Sequence, residues 1–425
     1  MSFWKVARSP LVWVLIAALA LRIAAGAWWQ SRLPPGVQFA FGDSEGYWML
    51  AGALARGAPY EYGSPPAQVF RTPGYPLILS TLFLAFHGEP PLWAALVLNA
   101  ALGMLTVWGV YALALRLFER RAALLAAVIV AFYPGAIGTS VFVLSEAAFC
   151  PLLVAQLIAS TIAWQSASTK ATLAFALAAG CLAGAATLVR PSWLLYTPFA
   201  TCLGLLTMRN MQRHLLVGAC MLVGLSVVMS PWWLRNYQVT GHFIPTTLQV
   251  GASLYDGMNP TATGASDMAF VPEFVAQVEQ EPADGETFEY RLDRRLREAS
   301  LEWSETHPGR ALQLAVVKFA RLWNVWPNES EFRSWPMRLV VAATYVPLLL
   351  LAIAGAERFT PSGWPYAQCW LPAVYFTLIH MIFVSSLRYR EPAMLPLAVL
   401  AAAVLVWSAM DAKWDDDDDP ELREA

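Results

Sequence analysis

The stretch Phe41-Gly42-Asp43-Ser44-Glu45-Gly46-Tyr47-Trp48 sets two carboxylates just beyond a long apolar run, where neither is needed to cross a bilayer or fill a helical core. A carboxylate near a membrane plane can have its pKa raised and serve as a general base toward a hydroxyl or amine. Asp43 also follows a glycine and precedes a helical pattern, so it could accept an N-cap hydrogen bond from a free backbone N–H. The capping box is incomplete, because Gly46 stands three residues on in place of Glu or Gln. Asp43 and Tyr47, four apart, share a helical face, whereas Glu45 points elsewhere and reads as solvated. On these residues alone, base and cap both stay open for Asp43.

The arginines supply a second kind of chemistry. Arg71 lies in Phe70-Arg71-Thr72-Pro73-Gly74-Tyr75-Pro76, and Arg190 follows an apolar run directly before Pro191. Arg235 closes Pro231-Trp232-Trp233-Leu234-Arg235-Asn236, and Arg388-Tyr389-Arg390-Glu391-Pro392 opens the last apolar run. Guanidinium forks at a membrane boundary suit a phosphate or pyrophosphate at headgroup depth, since they bind its oxygens bidentately and stay charged. Singly, each could be snorkelling to lipid headgroups; their convergence on one face favours an anionic ligand. Glu146 lies at the end of another span. An intramembrane carboxylate is costly unless paired, so a partner such as Arg190 or Arg71 is expected, with a structural role favoured over a catalytic one.

The elements that must position these groups are mostly membrane helices. The 425 residues are 57% hydrophobic and 14% charged, with mean hydropathy +0.48, whereas soluble domains are roughly a quarter charged. The fold class expected is an all-α polytopic membrane protein, because no short alternating strands suggest a barrel. Apolar runs at 11–29, 91–117, 121–138, 142–163, 171–189, 192–208, 214–233, 337–355, 365–385 and 392–410 are candidate spans. The first is read as a retained anchor, since it ends in Trp28-Trp29 without a cleavage site. The run 75–86 is too short to span and suits an interfacial or re-entrant helix.

About ten crossings leave both termini on one side, with Lys5, Arg8, Arg116, Arg120, Arg121, Lys170, Arg209, Arg213, Arg358 and Lys413 in its short loops. By the positive-inside pattern the termini are cytoplasmic, and the segments 30–90 and 234–336 face outward. The organisation expected is 1–233 as a transmembrane module with outer loop 30–90, then 234–336 as an outer helical segment. A C-terminal membrane module, 337–411, and an acidic cytoplasmic tail, 412–425, follow. Amphipathic helices are expected from Asp43 to Gly57, lying on the membrane surface, and over Phe288 to Trp303. In the second, Asp293–Arg297 and Arg294–Glu298 are i,i+4 pairs opposite the apolar face. His307-Pro308-Gly309 stops it, and a further helix carries Leu312, Ala315, Val316, Phe319 and Trp323. The five cysteines fall in apolar runs without a CxxC pair, and the histidines show no HExxH spacing, so a protein-bound catalytic zinc is not expected. Asn328-Glu329-Ser330 fits a glycosylation sequon but carries no weight, and Asp415 to Asp419 reads as a disordered tail.

Taken in order, these motifs resemble the GT-C superfamily of polyprenyl-phosphate-sugar-dependent glycosyltransferases, in the branch of protein O-mannosyltransferases and lipid A aminoarabinose transferases. The resemblance is carried by Gly42 to Tyr47, Arg71 to Pro76, Leu144-Ser145-Glu146, Pro231 to Asn236, Gly241 to Pro245, Gly251 to Pro260, His307-Pro308 and Arg388 to Pro392. It implies a GT-C-like helix bundle and an inverting transfer, with Asp43 as general base and the outer arginines (Arg71, Arg190, Arg235, Arg388 and Arg390) on the phosphate leaving group. Glu146 is the secondary acid, and Tyr47, Tyr75, Asn236 and Tyr389 are candidate substrate contacts. The expected partners are a polyprenyl-phosphate-linked sugar donor, an unassigned lipid, glycan or protein acceptor, and the bilayer, with no cofactor, metal or nucleic acid. The expected location is the cytoplasmic membrane of a bacterium, with the site on the outer face. The chain is shorter than many relatives and has neither a large soluble C-terminal domain nor the tandem outer-loop modules of eukaryotic protein O-mannosyltransferases, which argues against that activity. A transporter or flippase for lipid-linked oligosaccharide is the competing class, disfavoured because polar groups gather at one face and not at the midplane. A lipid-linked glycan ligase or polymerase is a third reading. A structural subunit leaves Asp43, Glu146 and the arginines unexplained.

Overall fold

A computed structural model describes residues 9–207, 210–282, 284–326 and 334–417. The Asn328 sequon, Lys5, Arg8, Arg209 and the acidic run beyond Asp417 lie outside the described residues. The chain runs α1 (Pro10–Gln30), α2 (Gly42–Ala55), α3 (Gly74–Ala85), α4 (Leu92–Leu117), α5 (Arg120–Phe132), α6 (Pro134–Val141), α7 (Glu146–Gln165) and α8 (Thr169–Val189). It continues with α9 (Tyr196–Thr207), α10 (Met211–Thr240), α11 (Val250–Gly257), α12 (Val271–Gln280) and α13 (Phe288–Thr306). Then come α14 (Pro308–Leu322), α15 (Trp335–Phe359), α16 (Leu371–Ile382) and α17 (Glu391–Asp417). Among the described residues the only β feature is an isolated bridge between Tyr62 and Ala67, so the expected all-α membrane architecture holds.

Among the described residues seven helices are long and apolar enough to cross a bilayer, or eight if α5 and α6, bent by 56° at Tyr133, form one span. Ten full-length spans were expected. The difference lies in 192–208, which becomes a 3₁₀ turn plus the twelve-residue α9, and 365–385, whose main helix is the twelve-residue α16. Prolines at 198, 365 and 372 sit in these two runs and Pro191 directly precedes the first; they remove backbone donors and favour helix starts over long helices. The run 142–163 begins its helix only at Glu146, and α10 runs past 233 to Thr240.

α7 and α17 form the centre of the bundle, with 72% and 67% of their apolar windows buried, whereas α1 and α15 are peripheral at 17% and 22%. α8 packs closely on α10 through glycines: a Cβ on Gly180 would meet the backbone of Met221, and one on Gly224 the backbone of Leu177. Small residues permit that approach, and dispersion contacts follow from it. Arg22, buried within α1, donates from its two terminal nitrogens to the carbonyls of Ala131, Val130 and Ala136 at 3.2, 3.2 and 3.5 Å. It thereby serves carbonyls around the α5–α6 bend, which the helix ladder leaves short of partners.

The helix expected on the membrane surface is α2, but Tyr47, Trp48, Leu50 and Ala51 are buried, and it packs on α3 inside the protein. In α13, Leu296 is buried with Leu292 and Ala299 beside it, as the periodicity indicates. Asp293 is buried too, pairing with Arg297 and accepting from Gly251 N–H at 2.6 Å, while Arg294 pairs with Glu286 at 2.9 Å and not with Glu298. α14 turns Leu314, Lys318 and Leu322 inward and leaves Leu312, Val316 and Phe319 exposed, so its apolar face points away from the protein. This is how a helix lies on a hydrocarbon surface.

Candidate active site

Asp43 does not cap α2. Phe41 is the N-cap, with extended backbone and no side-chain cap bond, and Asp43 falls within the first turn. Its carboxylate instead accepts from Arg71 Nη2 at 2.7 Å and lies 3.5 Å from Arg388 Nη2. Arg388 then reaches the second acid: its Nε is 2.9 Å from Glu146 Oε1, and Arg190 Nη1 is 2.9 Å from the same oxygen. The result is one continuous chain of ion pairs, Arg71–Asp43–Arg388–Glu146–Arg190, drawn from five separate parts of the sequence. Three guanidiniums face two carboxylates, so one positive charge is left unmatched.

Each member is held by its element. Arg71 also donates from Nη1 to Gln249 Oε1 at 3.0 Å and stacks over the Tyr47 ring, 5.3 Å from its centroid. Glu289 of α13 accepts from the backbone N–H groups of Gln68 and Val69 at 2.8 and 3.0 Å, pinning the loop that carries Arg71. Glu146 opens α7, where the positive helix end favours a carboxylate. Arg190 closes α8 and lies over the Phe149 and Tyr389 rings.

The chain of charges borders a cavity of about 840 Å³ whose wall includes Asp43, Glu146, Arg388, Tyr389, Trp29 and Phe41. Glu146 is sealed, with its side chain 2% exposed, whereas those of Asp43 and Arg388 are 36% and 27% exposed. Burial pushes the Asp43 carboxyl upward, but Arg71 and Arg388 outweigh it and hold it below the usual carboxylate range. The raised pKa expected near the membrane plane is therefore reversed, because the sequence pattern did not show two guanidiniums on one carboxylate.

The predicted site residues divide by this geometry. Asp43, Glu146, Arg388, Tyr389 and Arg390 border the cavity, while Arg71 and Arg190 stand behind the two carboxylates. Arg390 reaches the wall, yet its Nη1 donates to the carbonyls of Leu322 and Asn324 at 3.1 and 2.6 Å and its guanidinium lies over Tyr345. It fastens α14 to α17. Arg235 does not border the cavity: its Nη2 donates to the Tyr60 carbonyl at 3.2 Å, and the group lies over the Tyr60 and Trp232 rings. Tyr60 in turn donates to the carbonyls of Arg71 and Thr72, so Arg235 acts at one remove. Tyr47 packs edge-on against Tyr75, and Tyr75 donates to Asn99 at 3.1 Å. Asn236 donates to the carbonyls of Ile244 and Thr246. None of these three borders the cavity. Sequence reasoning missed Arg321, Tyr133 and Glu391 on the wall. Lys318 and Arg321, three apart in α14, were the available signal for a polar inner face.

Residues 71–234 match the model of the dolichyl-phosphate-mannose-protein mannosyltransferase family. The archaeal oligosaccharyltransferase AglB from Archaeoglobus fulgidus, in complex with an inhibitory peptide and a dolichol-phosphate, shares the fold with a TM-score of 0.60 at 16% identity. The chain has the helical membrane fold of that oligosaccharyltransferase, the fold that the resemblance to the GT-C superfamily implied. The AglB match covers 97% of this chain and 52% of the archaeal one, so the chain spans about half that enzyme's length. The same oligosaccharyltransferase in complex with Zn and sulfate matches with a TM-score of 0.58 at 17% identity, over 96% and 49% of the two chains. ArnT from Cupriavidus metallidurans bound to undecaprenyl phosphate is a looser likeness, with a TM-score of 0.42 at 16% identity over 93% and 77% of the two chains. No curated protein matches this chain in sequence.

Proposed function

We propose that this chain is a GT-C glycosyltransferase, transferring a sugar from a polyprenyl-phosphate donor to a hydroxyl or amine of a lipid, glycan or protein acceptor, with inversion, on the outer face of a bacterial cytoplasmic membrane. The observation that carries the reading is the Arg71–Asp43–Arg388–Glu146–Arg190 chain at the wall of a cavity in a membrane bundle. Asp43 takes the acceptor proton as the acceptor atom bonds to the sugar's anomeric carbon. The bond from that carbon to phosphate oxygen breaks, and polyprenyl phosphate leaves with the electron pair. Arg388 faces the leaving phosphate, and the unmatched positive charge of the cluster favours an anion there. Support also comes from the archaeal neighbour, whose structure holds a dolichol-phosphate.

The depressed pKa of Asp43 bears on how it works as a base. In the free protein its two guanidiniums keep it ionised and weakly basic. Donor phosphate competes for Arg388, and the carboxylate's hold on its proton strengthens as that guanidinium is shared. Glu146 serves Arg388 and Arg190 as a positioning residue. The test is Asp43→Asn, in purified protein given a panel of polyprenyl-phosphate sugars. Asparagine can still accept from Arg71 but takes up no proton near neutral pH. Transfer should fall by about 10²–10⁴-fold with thermal stability retained; an active, folded Asp43→Asn protein sinks the assignment.

A further inference from the structure

The cavity wall holds a third carboxylate that the chemistry above does not use. Glu391 opens α17 and is 8% exposed. Its Oε1 lies 3.5 Å from Arg390 Nε, while Arg390 spends Nη1 on two backbone carbonyls. The Tyr133 phenol donates to the same carboxylate, and Oε2 itself is sealed from the cavity. Gly135 makes the room, because a Cβ there would run into Oε2. A carboxylate can accept about four hydrogen bonds, so with Tyr133 and Arg390 in place Glu391 keeps capacity at the cavity wall for a donor from a ligand.

The chemistry of that donor follows from the charges. Arg390 already balances Glu391, so a neutral hydroxyl fits the pair better than an ammonium. Trp29, Phe41 and Tyr389 on the same wall present aromatic surface to an amphipathic ring. We propose that Glu391, with Tyr133 beside it, is the hydroxyl-binding subsite for the transferred sugar, an inference that rests on the glycosyltransferase reading above. The Glu391 carboxylate accepts from a ring hydroxyl while the donor phosphate meets Arg388. Glu391 thus selects which sugar is carried, and Asp43 and Arg388 act on the bond that breaks.

The test compares binding of bare undecaprenyl phosphate with binding of undecaprenyl-phosphate hexoses and pentoses to the full chain in detergent. Wild type should prefer one glycosylated lipid over the bare lipid. Glu391→Gln should lower that preference about ten- to hundredfold, the worth of a hydrogen bond to a charged group, and leave the bare lipid unchanged. Tyr133→Phe, which removes one oxygen, should lower it less and carries the test if Glu391→Gln fails to fold. Variants that keep the preference, or weaken both lipids equally, overturn the subsite and make Glu391 a support for Arg390. A wild-type protein that prefers no glycosylated lipid overturns the parent reading as well, so the two failures are told apart by which protein shows them.

Discussion

Arg388→Lys keeps the charge and removes the fork, and its outcome can be worked from the geometry. In the structure Nε serves Glu146 at 2.9 Å and Nη2 serves Asp43 at 3.5 Å, so two nitrogens of one planar group meet two acids. Lysine has a single nitrogen and cannot meet both. It should stay with the sealed Glu146, where a carboxylate short of cations is costly, and let Asp43 go. The lost pair joins side chains 27% and 36% exposed, so solvent screening limits its worth to stability to about 1 kcal/mol or less. Catalysis should suffer more. In the proposed transfer the donor phosphate is a diester with one negative charge, and it leaves as a monoester carrying about −1.5 to −2. A guanidinium that meets this growing charge is worth about 10²–10³ in kcat. Because the charge appears during the reaction, the loss should fall on kcat and spare KM. The assay is initial-rate glycosyl transfer against donor concentration, paired with thermal unfolding in the same detergent. Arg388→Lys protein with kcat within about threefold of wild type would refute the argument. So would a loss confined to KM, or one explained by unfolding.

Two further outcomes follow from the structure. Asp43 has a folded pKa below its unfolded value of about 3.9, so its contribution to stability is present above that pH and is lost as pH falls through the folded pKa. It is therefore ionised throughout the working range, and kcat/KM should show no acidic limb from Asp43 between about pH 5 and 8; a limb there that Asp43→Glu displaces contradicts the paired geometry. Arg22→Leu should destabilise the bundle by about 2 kcal/mol or more, because carbonyls at the α5–α6 bend lose a charged donor within the membrane. An unchanged unfolding temperature would remove Arg22 from that role.

Much of the site was legible in the chain because charge is expensive in a membrane. In a sequence 14% charged, acids and arginines at the ends of apolar runs stand out, and Asp43, Glu146, Arg71, Arg190 and Arg388 were all found that way. Their order also carried the superfamily resemblance. Arg235 and Asn236, in the same kind of motif, were indistinguishable from them in sequence, yet their side chains are turned to loop carbonyls. Helical periodicity located α13, its stop at His307 and the start of α14. It misjudged the length of α9 and α16, where prolines shorten runs that hydropathy alone reads as continuous.

What the sequence by itself determined is therefore the solvent and the inventory: a helical membrane protein, with acids and arginines concentrated at span ends. Hydropathy and helical period are local properties, and they survive without knowledge of neighbours. Only the tertiary structure decided the pairings. Asp43 and Arg388 are 345 positions apart, and nothing local indicates that one guanidinium bridges Asp43 to Glu146. That contact turned the expected rise in the Asp43 pKa into a fall, since the pKa of a buried acid depends on which charges the packing brings to it. The same packing brought Tyr133 and Glu391, far apart in sequence, to the wall of the cavity that Asp43 borders.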